Sequence, residues 1–369
     1  MFKQRFSQLS KLLSDNDWDA IVFLPGSTLE YLTGISFHLM ERPTLLLLAP
    51  GHKPVLILPE LERAKAEAAN LEIELFDYGE DQTSRLEAFR MAVEHIGTGP
   101  KRIGVDPLSM RVHELSLLES VASEWTFSPA GDLVTDIRLI KNEAEIELMR
   151  QAAAIAEAAL VETLPQIRLG MTERELASEL VLQLLRAGSD SNLPFQPIVA
   201  SGPNSALPHA SPSNRKLEAN DLLIIDWGAR MGGYISDITR TFAMEALAPE
   251  LETIHLIVQQ SNDAGRDAVR PGATCASIDH EARKVIDAAG YGEYFIHRTG
   301  HGIGLEPHEA PYIVADNPRQ LAPGMTFTIE PGIYLPGQGG VRIEDNIVVT
   351  KTGGASLSRF DRALVILSG

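Results

Sequence analysis

Residues 226–242 read DWGARMGGYISDITRTF, and residues 330–349 read EPGIYLPGQGGVRIEDNIVV. Each stretch opens on a carboxylate that ends an apolar run, turns through glycine and delivers a second carboxylate. The pairs are Asp226 with Asp237 and Glu330 with Glu344. Leu217 stands nine positions before Asp226, as Leu321 stands nine before Glu330. Upstream, Pro208-His209 with Pro212 matches Pro307-His308 with Pro311, and Gly170-Met171-Thr172 matches Gly272-Ala273-Thr274. Residues 142–350 are therefore a duplicated unit, and repeats of this kind have to be recognised before any element is assigned.

Inside each copy the local signals give two helices and a hairpin. Asn142 and Thr172 sit three residues before Glu145 and Glu175, the capping-box spacing that satisfies free amides at a helix start. The first helix is expected to stop at Pro165 and the second before Gly188. Leu222–Ile225 then predicts a strand that turns through Met231-Gly232-Gly233 into Tyr234–Phe242. The second copy predicts helices over 249–269 and 276–289, with a hairpin from Met325–Ile329 through Pro336–Gly340 into Val341–Val349. This is an α+β unit with an internal pseudo-twofold repeat, expected over residues 136–369. Before it, residues 1–135 alternate strands (Ala20–Leu24, Leu45–Ala49, Val55–Leu58, Glu72–Phe76, Ile103–Val105) with helices such as Leu61–Ala69 and Leu86–His95, an α/β domain. No phosphate-cradling glycine loop follows any of these strands, so no organic cofactor is expected.

The acids predict a metal centre. Desolvating an unpaired carboxylate costs several kcal/mol, and two such pairs meeting across a pseudo-twofold axis bring four negative charges together. Two divalent cations cancel them, and the oxygen-rich donors favour manganese, with cobalt or zinc as alternatives. His301, in HGIG, lies seven before His308, whereas the position seven before His209 is Gly202, so the two metals should be inequivalent. Strand alternation puts Arg342 on a face with Glu344, and Ile235, Asp237 and Thr239 on another. Arg342 is therefore expected to orient Glu344, with Thr239 as a further support. His209 and His308 occupy equivalent places in the repeat.

These residues carry a family resemblance. DWGARMGGYISDITRTF, HRTGHGIGLEPHEAP (297–311), TFTIEPGIY (326–334), GGVRIEDNIVV (339–349) and IRLIKNEAEIELMRQAAAIA (137–156) resemble the metallopeptidases of the prolidase and aminopeptidase P family. The resemblance implies a pita-bread catalytic fold behind a creatinase-like amino-terminal domain. It implies Asp226, Asp237, His301, Glu330 and Glu344 as ligands of two divalent ions. His209, His297 and His308 are then active-site histidines, and the expected assembly is a homodimer. Two such ions activate water and polarise a peptide carbonyl, with Glu330 as the candidate general base and His209 and His308 as donors to the developing oxyanion. The expected substrates are dipeptides or short peptides with proline second.

Three other readings compete. A methionine aminopeptidase-like enzyme shares the ligands but usually lacks the amino-terminal domain. Creatinase-like enzymes and non-catalytic pita-bread binding proteins lack the ligand set. Some prolidases carry an arginine four residues after the histidine matching His308, where it meets a dipeptide's carboxylate; this chain has Tyr312. Arg319, or an amino-terminal-domain residue of a partner subunit, is the expected substitute.

Composition agrees. The chain has 369 residues, enough for two domains, and a formal net charge of −18, which opposes binding to nucleic acid or anionic membranes. Its one cysteine, Cys275, excludes an intramolecular disulfide framework, fits a reducing compartment and has no histidine spaced to activate it. Residues 1–13 form an amphipathic stretch with Phe6, Leu9, Leu12 and Leu13 on one face, not a signal peptide. A soluble cytoplasmic protein is expected.

Overall fold

Short apolar runs bounded by turn residues become the strands of the first of two units, which divide between Arg138 and Leu139. The structure is a computed structural model that describes residues 2–368. The first unit runs α1 (Phe2–Asp15), β1 (Ala20–Phe23), α2 (Ser27–Thr33), β2 (Leu45–Leu48), β3 (Val55–Pro59), α3 (Arg63–Ala68), β4 (Glu74–Tyr78), α4 (Gln82–Ile96), β5 (Lys101–Val105), α5 (Val112–Val121), β6 (Trp125–Pro129) and α6 (Gly131–Leu139). Its mixed sheet has the order β4-β3-β2-β1-β5-β6. β1–β3 are buried throughout, which is why they read as continuous apolar runs. The edge strand β6 has no such run; it exists by pairing with β5. On α1, Leu9 and Leu13 are fully buried, with Phe6 and Leu12 packed beside them, so this amphipathic stretch covers a sheet.

The second unit runs α7 (Glu143–Thr163), α8 (Glu173–Arg186), β7 (Ile198–Ser201), β8 (Leu222–Trp227), β9 (Arg230–Met231), β10 (Tyr234–Ile235), β11 (Ile238–Met244), α9 (Pro249–Asp267), α10 (Cys275–Ala288), β12 (Gly300–Gly302), β13 (Glu309–Ile313), β14 (Thr326–Ile329), β15 (Gly332–Leu335), β16 (Gly339–Arg342), β17 (Asp345–Val349), β18 (Gly354–Ser356) and β19 (Val365–Leu367). Both capping boxes form, at Asn142 and at Thr172. The duplication is written in the hydrogen bonds as well. Gly170 N donates to Leu217 O at 2.9 Å, and Gly272 N donates to Leu321 O at 2.8 Å. Two sheets result, β7-β8-β11-β19 and β13-β12-β14-β17-β18, one from each copy except for β19. No described helix is long and apolar enough to cross a membrane.

The hairpins differ from the expectation. Each return strand is interrupted: β9–β10 and β15–β16 are separate two-stranded ribbons, and β11 and β17 resume only after a break. Asp237 stands at the first break and Glu344 at the second. Arg342 and Glu344 are thus not residues of one continuous strand, nor are Ile235, Asp237 and Thr239. The ladder breaks because Asp237 and Glu344 take their backbone partners from the other copy. Asp237 N donates to Asn346 Oδ1 at 3.0 Å, and Glu344 N donates to Thr239 O at 3.1 Å.

Candidate metal centre

Asp226 is carried near the end of β8, whose four preceding residues are all buried. Glu330 follows β14 immediately, its N–H tied to Thr299 O at 2.8 Å. With Asp237, Glu344 and His301 on β12, these acids line one cavity of about 730 Å3. Asp237, His301 and Glu344 each offer a ligand atom lying within 4.8 Å of the other two. His301 Nε2 is 3.8 Å from Asp237 Oδ2 and 3.3 Å from Glu330 Oε1.

Electrostatics mark the cluster as short of positive charge. Burial, reinforced by Glu344, Asp226 and Glu330, holds the pKa of Asp237 well above the carboxylate range. Burial and the neighbours Glu330 and Asp226 do the same to Glu344. Burial lifts Glu330 to about 7 and raises Asp226 despite its pairing with Arg342. Two buried carboxylate oxygens, Asp226 Oδ1 and Glu344 Oε1, have no hydrogen-bond partner. Their sister oxygens are held: Asp226 Oδ2 accepts from Arg342 at 2.7 Å and Glu344 Oε2 from Thr239 Oγ1 at 2.7 Å. An oxygen fixed on one side and bare on the other is how a carboxylate is presented to a cation, and unsatisfied buried groups in a folded protein call for such an explanation.

His301 fits the same donor set. Its Nδ1 lies 3.1 Å from Gly302 O, and a carbonyl can only accept, so the ring proton is on Nδ1. Burial, followed by His308, pushes its pKa well down, leaving it neutral. The Nε2 lone pair therefore faces two carboxylate oxygens.

The supporting shell departs from the sequence reading in one respect. Arg342 does not bond Glu344. Its Nε donates to Thr239 Oγ1 at 3.1 Å, and Thr239 in turn holds Glu344; its other nitrogens reach Asp226, Pro208 O and Tyr334 Oη. Burial opposes the Arg342 charge, but Tyr334, Asp226 and Glu344 keep it firmly protonated.

The three remaining histidines line the cavity. His209 and His308 are exposed at its mouth, and the His308 ring stands edge-on to His301, centroids 4.2 Å apart. Partial burial, then the charge of Arg298, lowers the pKa of His308. His297 is different. Its Nδ1 bonds Arg298 O at 2.7 Å and its Nε2 meets Tyr334 Oη at 2.8 Å, so both ring nitrogens are occupied, and burial takes its pKa down to about 3. Arg319 is not among the cavity-lining residues, and Cys275 is buried with its thiol pushed up to about 11 by burial.

Sequence reasoning missed Tyr334, Asn346 and Arg298. Asn346 was open to discovery, because it stands two residues after Glu344 as Thr239 stands two after Asp237, and both reach across to the other copy. Tyr334 has no such counterpart. Apolar surface from Phe195, Ile198, Pro208 and Pro307 completes the wall.

Comparison with known proteins identifies the family. The profile described as metallopeptidase family M24 matches residues 147–351, and that of the creatinase/prolidase N-terminal domain matches residues 5–140. The chain is similar to the Xaa-Pro dipeptidase of Pyrococcus horikoshii, 34% identical over 99% of each chain. Among solved structures it resembles a dipeptidase from Pyrococcus horikoshii, with 40% identity, TM-score 0.92 and coverage of 98% of this chain and 100% of that one. It also resembles a prolidase from Thermococcus sibiricus, with 32% identity, TM-score 0.94 and coverage of 100% and 99%.

Proposed function

The chain belongs to metallopeptidase family M24, and from that premise we propose that it is a two-metal exopeptidase hydrolysing the bond between an N-terminal residue and a following proline in dipeptides or short peptides. One observation carries the reading: the neutral His301 turns its Nε2 lone pair toward Asp237 and Glu330, beside two bare carboxylate oxygens. Lone pairs converge in this way around cations. Asp226, Asp237, His301, Glu330 and Glu344 would hold two divalent ions. Bound there, the ions would supply Lewis acidity toward the peptide carbonyl and the attacking water.

The chain's own groups do the rest. Glu330, whose carboxylate lines the same cavity, is the proton acceptor, able to return the proton to the leaving nitrogen. His209 and His308, at the mouth, donate hydrogen bonds to the substrate carbonyl as its oxygen gains charge. His297, with both nitrogens engaged, acts as a shaped wall. A peptide bond to proline has no N–H, so recognition rests on ring shape, and Phe195, Ile198, Pro208 and Pro307 supply apolar surface for it.

The four oxygen donors favour manganese over cobalt or zinc. Cytoplasmic residence, supported by the single buried thiol, and a homodimer belong to the same reading, the latter testable by light scattering. The deciding experiment compares Ala-Pro with Ala-Ala on protein stripped of metal and reconstituted with each ion. Full activity in metal-free protein, or equal rates on both peptides, overturns it.

A further inference from the structure

The second copy's ladder is broken where its two glutamates meet. β14 pairs with β17 up to Ile329 opposite Asp345, and β15 pairs with β16 from Gly332 opposite Arg342. Both pairings keep one register, so across the break Glu330 faces Glu344 and Pro331 faces Ile343. Carboxylates directly opposite one another repel, and the backbone that should hold them is incomplete as well. Ile343 N donates to Pro331 O at 3.4 Å, which marks a pair that would exchange two hydrogen bonds in an ordinary antiparallel ladder. Proline has no N–H to return, so Ile343 O lacks its ladder donor.

Asn262, on α9, supplies that donor. Its Nδ2 donates to Ile343 O at 3.2 Å and to Ile329 O at 2.9 Å, so one amide grips the residues immediately before both Glu344 and Glu330. Carbonyls only accept, which fixes the amide with its NH2 toward the strands. The side chain is fully buried, and its Oδ1 has no hydrogen-bond partner. Burying that oxygen bare is destabilising, a cost that an apolar side chain of the same size would avoid. The short side chain reaches the strands because α9 lies close to them. Gly265, three residues on and so on the same face, is where the helix approaches: a Cβ there would come within 3.1 Å of Ile329 Cγ2.

The first copy closes its own break. Opposite Ser236, the residue before Asp237, stands Ala229. Ser236 N donates to Ala229 O at 3.0 Å, and Ala229 keeps an N–H, which donates to Ser236 Oγ at 3.0 Å. Fourteen residues past the N-cap, where α9 has Asn262, α7 has Ala156, which offers only its carbonyl, to Trp227 Nε1 at 2.8 Å. We propose that Asn262 is a positioning residue of the metal centre: by making the bond that Pro331 cannot make, it fixes Glu330 and Glu344 at the spacing at which they hold metal. The proposal rests on the two-metal reading above.

The test measures metal binding, not turnover. Full-length protein stripped of metal is titrated calorimetrically with Mn2+, Co2+ and Zn2+ in turn, and the unmodified protein should bind two ions of at least one kind per chain. With that ion, Asn262→Ala and Asn262→Leu, the second of which preserves volume, should each weaken binding of at least one equivalent by about 10- to 100-fold, the range for losing a group that orients a metal ligand. Ser261→Ala removes a neighbouring buried bond, from Ser261 Oγ to Ala282 O at 2.7 Å, which ties α9 to α10 and not to the ligand strands. Its titration should match that of the unmodified protein. Adding Pro331→Ala to Asn262→Ala returns an N–H opposite Ile343 and should recover part of the affinity. Unchanged titrations in both Asn262 variants overturn the proposal while the two-metal reading stands. So does an equal loss in Ser261→Ala, or a double variant that binds no tighter than Asn262→Ala. Fewer than two equivalents of every ion on the unmodified protein removes both readings together.

Discussion

The two copies of the repeat bring matching acids to the cavity and differ in what accompanies them. The second copy adds an imidazole, His301, where the sheet register of the first places Ala200: Ile198 pairs with Asp226 as Thr299 O accepts from Glu330 N, and two residues on stand Ala200 and His301. Gly202, seven positions before His209, lies past the end of that strand with φ +49, and a Cβ there would lie 2.4 Å from Asp221 Oδ1 and 2.6 Å from an Arg215 nitrogen, in space filled by the Arg215–Asp221 ion pair. Duplication supplied a frame for four carboxylates, and only the second copy sets a nitrogen donor beside it. The copies are also interlocked, since Thr239 holds Glu344 and Asn346 holds the backbone of Asp237.

The largest effect that would test this division is expected at Glu330. Glu330→Gln should cut turnover of Xaa-Pro peptides by about 10³-fold or more, as loss of a proton acceptor that also holds metal. His280→Ala, on α10 and away from the cavity lining, should leave kcat unchanged. Equal losses in these two variants would show that the centre has been misplaced.

Next come the two histidines that the repeat makes equivalent. His209→Ala and His308→Ala should each lower kcat by about 10²-fold, the effect of losing an oxyanion donor. Steady-state rates with either variant near the unmodified value would break the equivalence and leave one copy as the donor.

A third difference is buried in the helices. Seven residues after its N-cap, α7 has Met149, while α9 has His255; both are buried. Burial, then the charge of Arg240, lowers the His255 pKa from 6.5 to about 4. Between these values the unfolded chain binds a proton that the folded chain refuses, so stability is lost as pH falls from 6.5 toward 4. The loss is about 3 kcal/mol. His255→Met, which copies the first repeat, should flatten that decline in urea titrations at pH 7 and pH 4.5. Parallel declines in both proteins would refute it.

The smallest effect is expected at Gly202. Gly202→Ala should destabilise the protein by about 1–3 kcal/mol, from left-handed backbone strain and displacement of the Asp221 carboxylate. A thermal melt unchanged by the substitution would refute that local crowding.

Much of this was legible because each signal was local. Asn142–Glu145 and Thr172–Glu175 announce helix starts by themselves, and Leu222–Ile225 announces a strand. The breaks at Asp237 and Glu344 were not legible, because apolar alternation continues through both while the backbone partners come from residues about a hundred positions away. Arg298 was hidden for a similar reason. Nothing in HRTGHG says that an arginine beside a histidine will line the cavity. The role expected of Arg342 toward Glu344 shifted because strand alternation gives the side of a sheet and not the reach of a guanidinium, which found Thr239 and Asp226 first.

One feature of the sheets bears on the order in which the protein can be made. β19 pairs in parallel with β11, Phe242 to Val365 and Met244 to Leu367, and Arg240 donates to the carbonyls of Phe360 and Asp361. The first copy's sheet is therefore closed by a strand that a ribosome adds only after the whole second copy. Until residues 360–367 emerge, β11 is an open edge with unpaired backbone groups, the kind of edge that recruits other chains. A nascent first copy must therefore wait for the end of the second, which makes the two halves of the centre a single unit of synthesis.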